Sequence, residues 1–119
     1  MLADLAPPAR PTRRTAPDAG QRLAAALFRL ARGQGTLLNH RRSPWASITF
    51  SGTRHSLCWQ FDGAEAVAAG EALIDSLPDH EFAIPGQLVA DASVTCVEHA
   101  LLPAARLTVT AELLLLDEG

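Results

Sequence analysis

Lysine and tyrosine are absent from this chain, and only 5% of its 119 residues are aromatic. The ten basic residues are therefore all arginines, and arginine without lysine beside abundant alanine is typical of GC-rich coding. The arginines also lack the regularly interleaved aromatic side chains on which nucleic-acid bases stack. Composition therefore argues against an arginine code, and we expect no nucleic-acid partner on this basis.

Cysteine is scarce as well, and the two in the chain are Cys58 and Cys96. Two cysteines this far apart form neither a disulfide framework nor the closely spaced pairs of a zinc site. We therefore expect no metal and no cofactor. The unpaired thiols favour a reducing, cytoplasmic setting.

Long apolar runs are missing, because no stretch approaches the roughly 20 residues that cross a bilayer. The start of the sequence carries an early acid, Asp4, and four prolines before residue 18, which is unlike a secretory signal. The sequence therefore predicts a bacterial-type cytoplasmic protein without membrane contact.

Charge is unevenly distributed along the chain. Residues 1–54 hold nine arginines against two acids, whereas residues 55–119 hold one arginine against eleven acids. The interpretation we favour is that a basic helix packs beside an acidic helix in a single fold. The alternative is that the basic N-terminal half binds nucleic acid or another anionic ligand.

The length allows one domain that buries its own core. Residues 1–17 are rich in Pro, Ala and Arg and show no hydrophobic periodicity. They are predicted to form a disordered arm whose removal leaves the fold intact. Residues 18–119 are predicted to form a single α+β domain.

Two amphipathic stretches predict helices. The first covers about 18–33, where Asp18 and Gln21 have the spacing of a capping box and leucines recur at helical intervals. The second covers about 62–77. Gly70 lies within the apolar stripe of this second helix, which predicts a close approach of its backbone to the sheet.

Two further stretches alternate apolar and polar residues and predict β-hairpins. The first centres on a two-residue turn at Gly52–Thr53, and the second pairs about 87–101 with 106–116. The order α-β-β-α-β-β, with a right-handed crossover, favours one four-stranded, mostly antiparallel sheet. Both helices fit on one face of that sheet, and these registers place Cys58 and Cys96 on opposite faces.

The four leucines at 113–116 break the alternation of the last strand. Two of them, Leu114 and Leu116, point away from the helix-covered face. With Trp45 and Val97 they predict an apolar self-association patch, and a homodimer is the partner we expect. The alternative is that the first helix crosses to that face and covers both leucines.

No catalytic motif stands out, because the sequence lacks a glycine-rich phosphate loop, a nucleophile elbow and metal-ligand spacing. His55 fits a core or rim position. His99 and Glu112 share a face but lie about 13 Å apart along the strands. The polar face that the helices leave free carries the candidate residues of a small-molecule site, which are Asp91, Thr95, His99, Thr108 and Glu112.

The function we favour is a small non-enzymatic α+β module that acts through homo-oligomerisation. The first alternative is a small-molecule-binding protein or minor enzyme that uses the Ser/Thr-rich sheet face. The second alternative is nucleic-acid binding through the basic N-terminal half.

Overall fold

The computed structural model describes residues 18–118, and the predicted arm at 1–17 lies outside this range, as does Gly119. The described chain forms two α-helices and four strands in the predicted order α-β-β-α-β-β. The α+β prediction is therefore confirmed. Neither of the two α-helices is long and apolar enough to cross a membrane. The elements are α1 (Ala19–Leu30), β1 (Thr36–Ala46), β2 (Ser51–Asp62), α2 (Ala64–Ser76), β3 (Gln87–Ala100) and β4 (Arg106–Asp117).

Helix α1 begins with the predicted capping box. The Asp18 carboxylate accepts a hydrogen bond from the Gln21 backbone N–H at 2.8 Å, and the Gln21 side chain accepts one from the Asp18 N–H at 2.9 Å. These bonds satisfy amides that a helix start otherwise leaves unpaired. The Gln21 N–H, helped by Arg42, holds the pKa of the Asp18 carboxyl below its usual value.

A single apolar core lies between the helices and one face of the sheet. Phe61 of β2 is fully buried there. A Cβ built on Gly70 would lie 2.6 Å from the Phe61 ring, so the missing side chain lets α2 approach the sheet as predicted. Other buried members of this core are Leu23, Leu27, Leu57, Trp59, Leu73, Leu77, Leu107, Val109, Leu113 and Leu115.

The sheet has the strand order β1-β2-β4-β3, and each neighbouring pair is antiparallel. Strand β4 lies between β2 and β3, so the crossover through α2 leaves the sheet antiparallel throughout. Strands β1 and β3 form the two edges. Because both helices pack on one face, the alternate residues of the strands form a second face, which we call the open face.

The turn of the first hairpin lies at residues 47–50 and not at Gly52–Thr53, so the predicted register is wrong. The Ser47 N–H donates to the Phe50 carbonyl at 2.7 Å, and the Phe50 N–H donates to the Ser47 hydroxyl at 3.0 Å. Gly52 instead lies inside β2, where a Cβ would overlap the backbone of Leu115. This glycine marks the close approach of two strands and not a turn.

Strand β3 carries two β-bulges that the sequence pattern did not show, one between Val89 and Asp91 and one between Val94 and Cys96. Each bulge inserts one extra residue and changes the face of the residues that follow. The second bulge places Cys96 on the open face. The predicted faces of the second hairpin are therefore wrong beyond residue 94.

Both cysteines consequently lie on the same face, and the prediction of opposite faces is wrong. Cys58 of β2 and Cys96 of β3 both pair with Thr110 of the intervening strand β4. Two strand spacings separate them, about 10 Å, whereas the Cα atoms of a disulfide lie within about 7 Å. Both are free thiols.

Leu114 and Leu116 lie on the open face, away from the helices, so α1 does not cover them. They are nevertheless buried, with exposed fractions of 8% and 7%. Along the rows of the sheet, Leu114 stands between Arg54 and Asp91, and Leu116 stands between Gly52 and Leu88.

Candidate functional site

The five residues of the predicted small-molecule site do not form one cluster. Asp91 pairs with Leu114 near one end of the open face, while Thr108 lies near the other end. His99 pairs with the core residue Leu107, so the second bulge turns it toward the helix side. Asp91 and His99 are eight residues apart on β3, about 26 Å at strand spacing. The predicted set is therefore not a single site.

Two of the five residues, His99 and Thr108, line one shallow depression of about 300 Å³. Thr95, at the second bulge, instead donates its hydroxyl to the Thr110 carbonyl at 3.4 Å. Glu112 lies at the centre of the open face, where Ser56 and Ser93 flank it. No catalytic dyad joins these side chains within residues 18–118. No group of three or more potential metal ligands occurs in the same part of the chain.

A pair of histidines that the sequence did not predict lies on the helix-covered face of the sheet. The His40 Nε2 and the His55 Nδ1 are 2.9 Å apart, a hydrogen bond in which one ring donates and the other accepts. The rings are tilted, with centroids 5.1 Å apart. His55 is 3% exposed, in agreement with the core position expected for it. The pair ties β1 to β2.

Burial, together with the neighbouring His40 and Arg42, lowers the pKa of His55 to about 4. Burial and Arg42 also hold the pKa of His40 below its usual value. Both rings are therefore neutral near pH 7. His55 is buried and the two rings are hydrogen-bonded to each other, so the pair links strands β1 and β2.

The arginine beside this pair is neutralised within the fold. Arg42 Nη1 lies 3.2 Å from Asp18 Oδ2. A Cβ on Gly20 would lie 2.6 Å from the guanidinium carbon, so the arginine packs flat against the start of α1. Both side chains of the ion pair are about half exposed, and such a pair contributes about 0–1 kcal/mol. Arg42 therefore orients the helix and adds little to any anion-binding surface.

A wide depression of about 840 Å³ separates α1 from the loop that precedes β3. Arg22 and Arg29 lie on the helix side, and His80 and Glu81 lie on the loop side. It is an open groove of mixed charge. Two arginines against one glutamate leave the groove only weakly basic, unlike the extended positive surface typical of nucleic-acid-binding proteins.

The hairpin tips expose large apolar side chains. Ile48 is fully exposed and Phe50 is half exposed in the β1–β2 turn. Leu101 and Leu102, in the β3–β4 turn, are 71% and 84% exposed. The tips lie at opposite ends of the sheet, because the first adjoins the end of β4 and the second adjoins its beginning.

The predicted self-association residues are distributed differently from the expected patch. Trp45, on edge strand β1, pairs with Gly52, which in turn pairs with Leu116. Val97, on edge strand β3, pairs with Val109 on the helix side. Val109 and Leu116 are seven residues apart, about 23 Å. Val97 is therefore not part of the Leu114 and Leu116 patch, and the homodimer itself stays a prediction.

Comparison with known proteins adds a likeness of fold. No protein-family model matches the chain, and no curated protein matches it. Among solved structures, one chain from the virion of a native gene transfer agent particle is similar, with a TM-score of 0.50. The match covers 83% of this chain and 90% of that chain at 16% identity. At this identity the likeness concerns the fold alone.

The sequence indicates the histidine pair only when the turn of the first hairpin is placed correctly. When the turn is placed at 47–50, His40 stands opposite Leu57, diagonally next to His55. Placing it at Gly52–Thr53 left His40 outside the predicted strand. The exposed tip of the first hairpin escapes prediction for the same reason, because a turn at Gly52–Thr53 places Ile48 and Phe50 within a strand.

Proposed function

We propose that this chain is a structural subunit that assembles with other protein chains into a larger particle, and that it is not an enzyme. The observation that carries the proposal is the exposure of large apolar residues at both hairpin tips, Ile48 and Phe50 at one and Leu101 and Leu102 at the other. Clusters of exposed apolar side chains mark surfaces that bind other proteins.

The energetics favour contact at these tips. Complete burial of an Ile, Leu or Phe side chain contributes about 1.5–3 kcal/mol. Ile48 is fully exposed in the isolated chain, so its whole side chain is available for burial in a neighbouring subunit. The tips lie at opposite ends of the sheet, so one chain can contact two neighbours at once.

The fold likeness supports the same proposal. The similar chain comes from a virion particle, which is an assembly of many protein chains. The dispersal of the predicted ligand residues gives the small-molecule alternative no comparable support. The cytoplasmic setting stays a prediction.

The experiment tests incorporation into particles in the cells that naturally produce the chain. A tagged chain is followed through a density gradient, and the fractions are imaged by negative-stain electron microscopy. We expect the wild-type chain in particle fractions and the double variant Ile48→Ser with Phe50→Ser outside them.

The matched control is Ile48→Leu with Phe50→Leu, which keeps an apolar tip and should be incorporated. The variants alter exposed side chains, so circular dichroism should show the same fold for all of them. Recovery of the wild-type chain only as free monomer, with no particle fraction, would overturn the proposal.

A further inference from the structure

The two edges of the sheet carry opposite charge. Strand β1 contains Arg41 and Arg42 and no acid, whereas β3 contains Asp91 and Glu98 and no arginine. Most side chains of both strands are exposed. Edge strands also present unpaired backbone N–H and C=O groups, which can pair with a further strand. The edges therefore provide two complementary surfaces on the same chain.

We propose that copies of this chain associate head to tail through these edges, with β1 of one copy pairing with β3 of the next. This inference deepens the proposed function and rests on it, because it names a contact through which the subunit assembles. The partner it specifies is a second copy of the chain.

The strand directions permit this pairing. Three successive antiparallel pairings separate β1 from β3, so these two strands run in opposite directions. A neighbouring copy in the same orientation therefore offers its β1 antiparallel to β3 of the first copy. The two sheets would join into one continuous antiparallel sheet, with both open faces on the same side.

The charged side chains lie on the matching face. Arg41 pairs with Ser56, and Asp91 pairs with Leu114, which places both charges on the open face. Within a chain, the row of paired residues that crosses the sheet from Arg41 on β1 reaches Ser93 on β3. Ser93 is two residues from Asp91 along the same strand. In an unstaggered neighbour, Arg41 would be diagonal to Asp91, at a Cα distance of about 7–8 Å that a long side chain spans.

Arg41 is available for such a contact. It is exposed and, unlike Arg42, has no acidic partner within residues 18–118. Arg54 lies in the next row of the open face and adds positive charge to the same side of the sheet. The basic edge is therefore a property of the open face and is distinct from the Arg42–Asp18 ion pair.

Irregularities in the edge strands limit where pairing can occur. Strand β1 has a bulge between Leu37 and Asn39 and a proline at position 44, and β3 has its two bulges. Bulges and proline block indiscriminate pairing of edge strands. The longer regular segments that remain are 39–43 in β1 and 91–94 and 96–100 in β3. Arg41 and Asp91 lie in the two segments that an unstaggered contact brings together.

The charges also select the symmetry of the contact. A twofold pairing of β1 with β1 would bring Arg41 near its own copy, and a pairing of β3 with β3 would do the same for the acids. Like charges across a strand pair are destabilising, whereas the mixed pairing of β1 with β3 is attractive. A head-to-tail contact of this kind closes into a ring or continues as a filament, and does not stop at two copies.

The test uses two charge reversals, Arg41→Glu and Asp91→Arg, in sedimentation velocity at low salt over a range of concentrations. We expect the wild-type chain to form species larger than two copies. Each single variant should associate about tenfold more weakly, since it places like charges across the contact. Arg29→Glu and Glu71→Arg, which alter exposed charges on the helices, should associate like the wild type.

Mixing the two variants provides the decisive measurement. The Arg41→Glu copy carries an acidic side chain at both contact positions, 41 and 91, and the Asp91→Arg copy carries a basic side chain at both, so neither should associate well alone. Together they should alternate and recover association to about the wild-type strength. The double variant, with both charges exchanged on one chain, should recover it as well.

Three outcomes would overturn the edge contact: a wild type that stays monomeric, a wild type that stops at a dimer, or a mixture that fails to recover association. None of these decides the proposed function, which is read separately from incorporation into particles. A chain that enters particles but fails the charge-exchange test is a subunit that uses a different contact.

Discussion

Acid should destabilise this protein above the pH range in which Asp18 and Asp62 are protonated, because of the hydrogen-bonded pair of His40 and buried His55. The two rings share a hydrogen bond of 2.9 Å, and His55 is 3% exposed. Protonation of both rings would place two like charges at this distance, with Arg42 close by. We therefore expect a loss of stability on acidification that has its origin at His55.

The pKa values set the size and the sign of the effect. An ordinary histidine has a pKa of 6.5, and burial lowers that of His55 to about 4. One pKa unit corresponds to about 1.4 kcal/mol, so the difference is worth about 3 kcal/mol. Because the folded-state pKa is the lower one, the unfolded chain binds the proton first. The stabilisation is complete above about pH 6.5 and is lost as the pH falls to about 4.

The carboxylates affect a different range. The pKa of Asp62 is lowered from 3.8 by hydrogen bonds from Arg106 and Gln60, and that of Asp18 is lowered as well. Their stabilising contribution is present above about pH 3.8 and is lost only below it. The interval from pH 6.5 to 4.5 therefore separates the effect of the His40 and His55 pair from that of these two carboxylates.

Urea unfolding followed by circular dichroism at half-unit intervals of pH measures the effect. We expect the free energy of unfolding to fall by about 2 kcal/mol between pH 6.5 and pH 5. His55→Asn keeps an amide near the position of Nδ1 but cannot titrate, so its curve should be much flatter in this range. His99→Asn, on the exposed edge, should keep the wild-type dependence.

A direct titration of the imidazole signals by NMR on the wild-type protein complements the variants and does not depend on their folding. A flat stability curve between pH 6.5 and 4.5 would refute the argument. So would a titration of His55 near pH 6.5 in the folded protein. Either result would mean that the buried pair carries a proton without cost to the fold.

Three further substitutions test the packing. Gly70→Ala should lower the free energy of unfolding by about 1–2 kcal/mol in urea titrations, because the new Cβ overlaps Phe61. This overlap outweighs the gain in helix propensity, and unchanged stability would contradict the close approach of α2 to the sheet. Gly52→Ala should cost about 3 kcal/mol by the same measurement, since its Cβ meets the backbone of Leu115, and an unchanged free energy of unfolding would show that the strands are not so close. Asp18→Ala removes the helix cap and should cost about 1 kcal/mol, with an effect below about 0.3 kcal/mol counting against the capping box.

The helices could be predicted from the sequence because their signals are local. Asp18 and Gln21 lie three residues apart, and the cap they form needs no distant partner. The alternation along β2 and β4 likewise identified their core faces, since every second residue meets the helices. The order of elements then allowed the sheet to be predicted as one antiparallel layer.

The register of the first hairpin could not be predicted, because a glycine in such a pattern either forms the turn or lies within a strand where another backbone approaches closely. Gly52 was interpreted as a turn residue, whereas it lies where β4 passes too close for a side chain. That distinction depends on Leu115, which is 63 positions away in the sequence. The bulges of β3 are likewise set by pairing with β4, and a single extra residue moved Cys96 and His99 to the faces opposite those predicted.

The uneven charge along the sequence is interpreted above as a basic helix beside an acidic one. The strand order of the sheet also distributes this charge unevenly across the open face. In the order β1-β2-β4-β3, each hairpin occupies one half of the sheet, so the division of charge along the chain becomes a division across the open face. Arg41 and Arg54 lie on the side of the first hairpin, and Asp91 and Glu98 lie on the side of the second.

The open face is basic on one side and acidic on the other. It therefore repels a second copy related by a twofold axis at either edge, because like charges meet there. It attracts a second copy placed beside it in the same orientation, because opposite charges meet. The self-association expected from Leu114 and Leu116 required a shared apolar patch, yet these residues are already almost fully buried. Lateral assembly needs no such patch, and because its charges are exposed it should weaken as salt is added. That salt dependence distinguishes it from an apolar contact at the hairpin tips, which kosmotropic salts such as sulfate would strengthen.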